Sequence, residues 1–334
     1  MDAPEESRRR RLDALNRKPL VRGDKPSELD ELRRRVRKIR EHKAADVASG
    51  QTSVSVPGLA LPGRLQPIVF RRDLPATRRT KSPSPTTPIG PHIELDQAVV
   101  GEDLTTPQGR RAFVVRRSVM DNPGDAAALC QSLAGALTDR SSGLWAQMHL
   151  AGIEANLQPE DLILFDLETT GLSSSPLFLI GAMVFQNGAL VSHQFFARDY
   201  SQEAGVLEMF LSLAAGRKLL VSFNGKSFDA PFVLTRAAAN GVLCRLAHDH
   251  LDLLHAARRA WGGRLPDCRL QTLECYVCSR TRTDDIPGHL IPDAYHDFVR
   301  TGNACQIVDV LEHNFLDLLT LADIMTRFPR SAGN

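Results

Sequence analysis

Regular alternation of apolar and polar positions begins only after about residue 90. The run Leu162-Ile-Leu-Phe-Asp-Leu-Glu168 is apolar until acids interrupt it at its end, which predicts a strand buried over most of its length. A second strand is predicted over 177–185. Asn187-Gly188, a pair that tolerates two successive positive φ angles, then turns the chain into a third strand over 189–196. Three antiparallel strands in succession are therefore expected. A helix follows over 203–215, then a buried strand over 218–223, then a helix over 230–240 that Gly241 closes at its C′ position. Further helices are expected over 251–261, 268–278 and 305–327. Upstream, 111–117 reads as a short strand and 125–137 as a helix, and both look like an appendage to the strands and helices after residue 160.

The first ninety residues have a different texture. Ten of the twenty prolines fall there, and Lys81-Ser-Pro-Ser-Pro-Thr-Thr-Pro88 cannot sustain helix or sheet because proline removes backbone donors. Residues 45–90 read as a linker. Before them, Ser27 can cap a helix whose Leu29, Leu32, Val36 and Ile39 form one stripe beside Arg33, Arg34, Arg35, Arg37, Lys38 and Arg40. Such a helix either docks on a partner or on phosphates, or is a solvated helix with a weak stripe. The expected organisation is a disordered basic arm over 1–90, a small appendage over 91–160, and an α/β domain over 161–328.

Composition narrows the function classes. With 43% hydrophobic and 24% charged residues in 334, the chain can bury a core, and no run reaches the roughly 18 apolar residues of a spanning helix. The beginning, with Asp2, Glu5 and Glu6 before a run of arginines, lacks the apolar stretch of a signal peptide, so the expected location is cytoplasmic, with no membrane partner. Six scattered cysteines read as reduced thiols rather than a disulfide framework. The net charge of +2 conceals an asymmetry: residues 1–90 hold 21 Lys and Arg against 11 Asp and Glu, and the remainder holds 20 against 28. A basic arm is an electrostatic footprint for a polyanion such as nucleic acid, or else a solvated tail.

In an extended strand residues two apart face the same way, so Asp166 and Glu168 project together from the end of an apolar strand. Adjacent carboxylates repel unless a cation sits between them, and Mg²⁺ and Mn²⁺ prefer oxygen ligands. Asp229 opens a helix directly after a buried strand, and Asp317 lies on a late helix among Leu316, Leu318 and Leu319. Asp229 is alternatively a helix cap, and Asp317 a solvated or salt-bridged surface acid. His313 lies four residues before Asp317, about 40° away around the helix axis, and an imidazole there is suited to accept a proton near neutral pH.

Three segments carry a resemblance. Asp166-Leu-Glu-Thr-Thr-Gly-Leu172, Asn224-Gly-Lys-Ser-Phe-Asp-Ala-Pro-Phe232 and His313-Asn-Phe-Leu-Asp317 resemble, in order and spacing, the exonuclease motifs of the DEDD superfamily. Phe178-Leu-Ile-Gly181, Leu251-Asp-Leu-Leu-His-Ala-Ala-Arg258 and Asp285-Ile-Pro-Gly-His-Leu-Ile-Pro292 are similar to the YprB-like ribonuclease-H-like family, and the likeness covers about 91–327. It implies a ribonuclease-H-like mixed sheet flanked by helices, three antiparallel strands preceding alternating helices and strands. It also implies a 3′–5′ exonuclease in which Asp166, Glu168, Asp229 and Asp317 hold two divalent cations, Mg²⁺ or Mn²⁺. Thr169, Thr170, Gly171, Leu172, Asn224 and Phe228 would meet the end of a single DNA or RNA strand. Asn224 is alternatively a turn residue. His313 stands at the spacing of the superfamily's tyrosine subclass. The histidine subclass has one more intervening residue, and there the two side chains would differ by about 140°.

Other clusters point elsewhere. Cys275 and Cys278, with Cys268 nearby, lack four zinc ligands at suitable spacing and are expected to be buried thiols. His248, His250, Asp252 and His255 are expected to cap and pack rather than to bind metal. Lys226, Arg269, Arg280 and Arg282 can pair with phosphates, and 281–292 reads as an ordered loop that is either lid or scaffold. The competing function is a catalytically weak nucleic-acid-binding or interaction module of the same fold. A different polarity or an internal cut is also open.

Overall fold

The computed structural model describes residues 91–330 apart from 122–125, 155, 172–174 and 247–248. The expectations for the arm over 1–90, for Leu172 and for His248 lie outside the described residues. In chain order the elements are α1 (Leu95–Ala98), β1 (Glu102–Thr105), β2 (Arg111–Ser118), α2 (Ala126–Thr138), α3 (Gly143–Leu150), β3 (Leu162–Thr169), β4 (Leu177–Gln186) and β5 (Ala189–Phe196). After these come α4 (Glu203–Ala214), β6 (Leu219–Ser222), α5 (Asp229–Ala239), β7 (Asp249–Asp252), α6 (Leu253–Trp261), α7 (Leu270–Tyr276), α8 (Ile291–Thr301) and α9 (Cys305–Thr326).

The strands form one sheet in the order β1-β2-β5-β4-β3-β6-β7. Pairings from β1 through β3 are antiparallel, whereas β6 runs parallel to β3 and β7 parallel to β6. The expected trio is β3, β4 and β5, and the hairpin between β4 and β5 turns on Asn187 at φ 52° and Gly188 at φ 79°. Those angles suit a two-residue turn that matches the twist of the strands. Gly241, at φ 60°, ends α5 as expected, with Val242 N donating to the Ala237 carbonyl.

Alternate residues of β3 feed two cores. Ile163, Phe165 and Leu167 pack on one face with α4, α5 and α8, while Leu162 and Leu164 pack on the other with α2, α3, α6 and α9. Every residue of β4 but the last is buried. The sheet is thus covered on both faces, as a central strand without polar alternation requires.

Several elements differ from expectation. The segment expected as an appendage supplies β1 and β2, and β2 pairs with β5 from Phe113↔Phe196 to Ser118↔Val191, so these strands are part of the sheet. The helix expected to begin at 251 is preceded by β7, in which Leu251 is fully buried, and begins only at Leu253. Four residues are too few to show a period of two, and the spacing of Leu251, Leu254 and Ala257 imitates a helix. The 281–292 loop gives way to α8 at Ile291, where Pro292 sits in the first turn and its missing donor costs nothing.

Candidate active site

The period-two geometry of β3 puts Asp166 and Glu168 on the face of Leu162 and Leu164, beneath α9. Asp166 pairs across the strands with Gly181, and Glu168 with Leu179, just before a register shift that ends the strand. Asp229 is the first residue of α5, directly beyond the end of β6, which lies beside β3. Phe228 occupies the cap position, so Asp229 is not the cap of α5. Its carboxylate is 6% exposed and accepts from its own amide and that of Leu167, which fixes it against β3. Gly225 permits this approach, since an added Cβ would crowd Ser222 and the Asp229 carboxylate. Asp317 projects from α9 with His313 one turn earlier, His313 Nε2 lying 3.5 Å from Asp317 Oδ2.

Asp166, Glu168 and Asp229 hold their protons unusually tightly. Burial, then the charges of Asp317, Glu168 and Asp229, raises the Asp166 carboxyl well above the ordinary range. Burial also raises Glu168 to about 8; His313 opposes the rise, while Asp317, Asp229 and Asp285 add to it. Asp229 rises to about 7, chiefly by burial and further by the charge of Asp252, against the two amide bonds.

His313 is pulled both ways. Burial alone would lower it, but the hydrogen bond from Nδ1 to Asp285 and the charges of Asp317, Glu168 and Asp285 raise it to about 9. In this arrangement the imidazole keeps its proton at neutral pH, so it is a donor to carboxylates rather than a free base. Asp285 stays ionised despite burial, because His313 and Arg282 hold its carboxyl below the usual range.

Three residues outside the predicted catalytic and metal-binding set complete the site. Asn314, fully buried on α9, donates from Nδ2 to Asp166 Oδ2 at 3.0 Å. Asp285 accepts from His313 Nδ1 at 2.9 Å. Arg282, expected as a phosphate ligand, instead donates from Nε to Glu274 at 2.7 Å, from Nη1 to Asp285 at 3.3 Å, and from Nη2 to Asp317 Oδ1. The segment over 281–290 is therefore scaffold: Arg282 and Asp285 anchor it and Ile286 is 3% exposed in the core. No local signal singles out Asn314, which stands among Glu312, His313 and Asp317 in the sequence and whose partner Asp166 is 148 positions away.

The remaining expectations sort by burial. Thr169 Oγ1 donates to the Gly171 carbonyl at 2.7 Å and Thr170 Oγ1 to that of Pro176 at 3.1 Å, so both hydroxyls shape the turn after β3. Asn224 is exposed at φ 65°, with its amide on Asp252 Oδ1 at 2.8 Å, which is the turn conformation. Phe228 is half-buried, its ring 5.4 Å from that of Phe232. Asp252 caps α6 through Leu254 N at 3.0 Å, as expected. Lys226 and Arg269 are exposed, whereas Arg280 is buried against Thr320. Cys278 is buried, but Cys275 is exposed, and all six cysteines are free thiols.

The donor set fits a hard divalent cation in chemistry: four carboxylates, three of them with raised proton affinity that a cation would relieve. It is not gathered at coordination distance. Among the described residues no three His, Cys, Asp or Glu side chains are placed to hold one metal ion. Both oxygens of Asp317 already face cationic groups, Arg282 and His313. Loading the site would draw Asp317 from Arg282.

Comparison with known proteins agrees with the fold. The family model RNase_H_2, of the RNase_H superfamily, matches residues 163–328. A Bacillus subtilis (strain 168) protein described as "Uncharacterized protein YprB" is 33% identical over 189 residues, which is 55% of this chain and 44% of that protein. The chain thus spans less than half of that relative's length. A family B DNA polymerase from the archaeon Pyrobaculum calidifontis aligns at a TM-score of 0.40 and 17% identity, over 51% of this chain and 25% of that one. Among the described residues no helix is long and apolar enough to cross a membrane. The matched span holds β3 to β7 and α9 with the acids they carry, and the chain accordingly contains a YprB-like domain of the ribonuclease-H-like superfamily.

Proposed function

We propose that this domain is a metal-dependent 3′–5′ exonuclease acting on the ends of single-stranded DNA or RNA. The observation that carries the reading is the gathering of half-buried Asp166 and Glu168 with buried Asp229, acids from two elements, where the charges of Glu168 and Asp229 raise the proton affinity of Asp166 and that of Asp229 raises Glu168. A buried acid cluster of this kind costs stability and suits a cation.

Asp166, Glu168, Asp229 and Asp317 would hold two divalent ions, Mg²⁺ or Mn²⁺. Bound there, such ions supply positive charge to the attacking and leaving oxygens of a phosphodiester. His313 would accept the proton of the attacking water at Nε2 after that nitrogen has released its own proton to solvent, and Asp285 holds the ring through Nδ1 so that Nε2 faces Asp317. Thr169, Thr170, Gly171, Leu172, Asn224 and Phe228 border the terminal nucleotide. The basic arm over 1–90 adds phosphate contacts that weaken with salt.

A second reading, a weakly catalytic binding module, is favoured by one observation: Arg282 already neutralises Asp317. Incubation of labelled single strands with Mg²⁺ or Mn²⁺ separates the two. The exonuclease reading predicts strand loss that Asp166→Ala abolishes, and no loss with either ion, alongside retained strand binding, would establish the module instead.

A further inference from the structure

Resting on that metal-centred reading, we infer that Asn314 is the positioning residue of Asp166. The hydrogen-bond network settles the direction of its amide. Gln194 Nε2 donates to the Leu311 carbonyl at 2.7 Å and to Asn314 Oδ1 at 3.0 Å. A carbonyl only accepts, so the end of Gln194 that faces α9 is its amino group. The Asn314 oxygen therefore faces Gln194, and its own amino group faces β3, where it donates to Asp166 Oδ2 at 3.0 Å and lies 3.5 Å from the Asp166 carbonyl.

Gly181 on β4 makes the room. It pairs with Asp166 across the strands, and an added Cβ would collide with the Asn314 amide. Gln194 on β5, Gly181 on β4 and Asp166 on β3 thus form a row across the sheet, and Asn314 reaches down onto it from α9. The glycine in Phe178-Leu-Ile-Gly181 and the asparagine after His313 serve one purpose.

The chemistry of the donor matters. An arginine at this place would neutralise Asp166 and compete with a cation, as Arg282 does at Asp317. A neutral amide pins Oδ2, fixes the carboxylate's rotation and leaves Oδ1 and the negative charge available.

The test has two arms on the full chain. In the metal-free protein, Asn314→Asp keeps the bond from Gln194 but sets a carboxylate against Asp166, and the urea midpoint falls. Combining it with Asp166→Asn exchanges donor and acceptor, so the double variant regains more stability than Asp166→Asn adds to the parent. Simple additivity would overturn the contact. In the second arm, Mn²⁺ titration calorimetry of Asn314→Ala shows a dissociation constant about 10–100-fold weaker than the parent's, with circular dichroism unchanged. Should that variant fail to fold, Gln194→Met, which frees the amide to rotate, shows weakening in the same direction. Parental Mn²⁺ affinity in the folded variant overturns the inference. If the parent itself binds no Mn²⁺, the metal reading falls, and the stability cycle alone decides the contact between Asn314 and Asp166.

Discussion

His313 donates from Nδ1 to both carboxylate oxygens of Asp285, at 2.9 and 3.0 Å, and this turns its other nitrogen toward Asp317. The ring's direction is thus set by a residue 28 positions upstream. Asp285→Asn retains one acceptor but loses the charge. Hydrolysis should fall about 10–100-fold, the usual cost of removing the partner that orients an active-site histidine, with the loss in kcat rather than KM. Steady-state kinetics on labelled strands measure it, and a loss confined to KM would remove Asp285 from this role.

Arg282 should be a large single contributor to stability. Its side chain is 7% exposed and bonds Glu274, Asp285 and Asp317. Arg282→Met leaves Glu274 only Arg280, and Asp285 and Asp317 only His313, as cationic partners, and breaking a buried ion pair costs about 3–5 kcal/mol. Urea unfolding measures this, and a loss under about 1 kcal/mol would mean the acids find other partners. Mn²⁺ should restore part of the loss by taking Asp317.

The acid cluster should trade stability for function. Because Asp229 has a folded pKa raised to about 7, its ionised form is disfavoured in the native state, and this cost is fully present above that pH and absent below the unfolded value. In the metal-free protein at pH 8, Asp229→Asn should therefore stabilise by on the order of 1–3 kcal/mol while abolishing hydrolysis. Thermal melts at pH 8 and pH 5 test it: the gain should shrink at the lower pH, and a variant less stable than the parent at both would contradict it.

Acid sensitivity should come from buried histidines. His193, 7% exposed on β5, is lowered to about 4 by burial and then by Arg116 and Arg217. The unfolded chain, with an imidazole pKa near 6.5, binds its proton first as pH falls, so stability present above about 6.5 is lost toward 4. Between pH 7 and 5 this amounts to about 1–2 kcal/mol. His193→Phe should flatten that part of the profile, and an unchanged slope would show that His193 is already protonated in the fold.

The legible part of the fold is the part with a period. The spans 162–168, 177–185 and 189–196 differ from β3, β4 and β5 by one residue or none, because long buried strands and an Asn-Gly turn carry their own signals. β1 and β7, four residues each, have too few positions to alternate. Asp166, Glu168, Asp229 and Asp317 stand out as acids in apolar surroundings. Asn314, Arg282 and Asp285 do not, since their partners lie up to 148 positions away and only the folded sheet brings them together. Arg282 reads as a phosphate ligand because a sequence shows its charge and not the three carboxylates that consume it.

The central claim is a directional, cation-dependent shortening of nucleic acid, and a product ladder on matched DNA and RNA strands labelled at the 5′ end measures it most directly. With Mg²⁺ or Mn²⁺ the parent should yield successive products each one nucleotide shorter at the 3′ end, while Asp166→Ala and Asp317→Ala leave the strand intact. Immediate release of a labelled mononucleotide, internal fragments without a ladder, or an intact strand with both cations would contradict it.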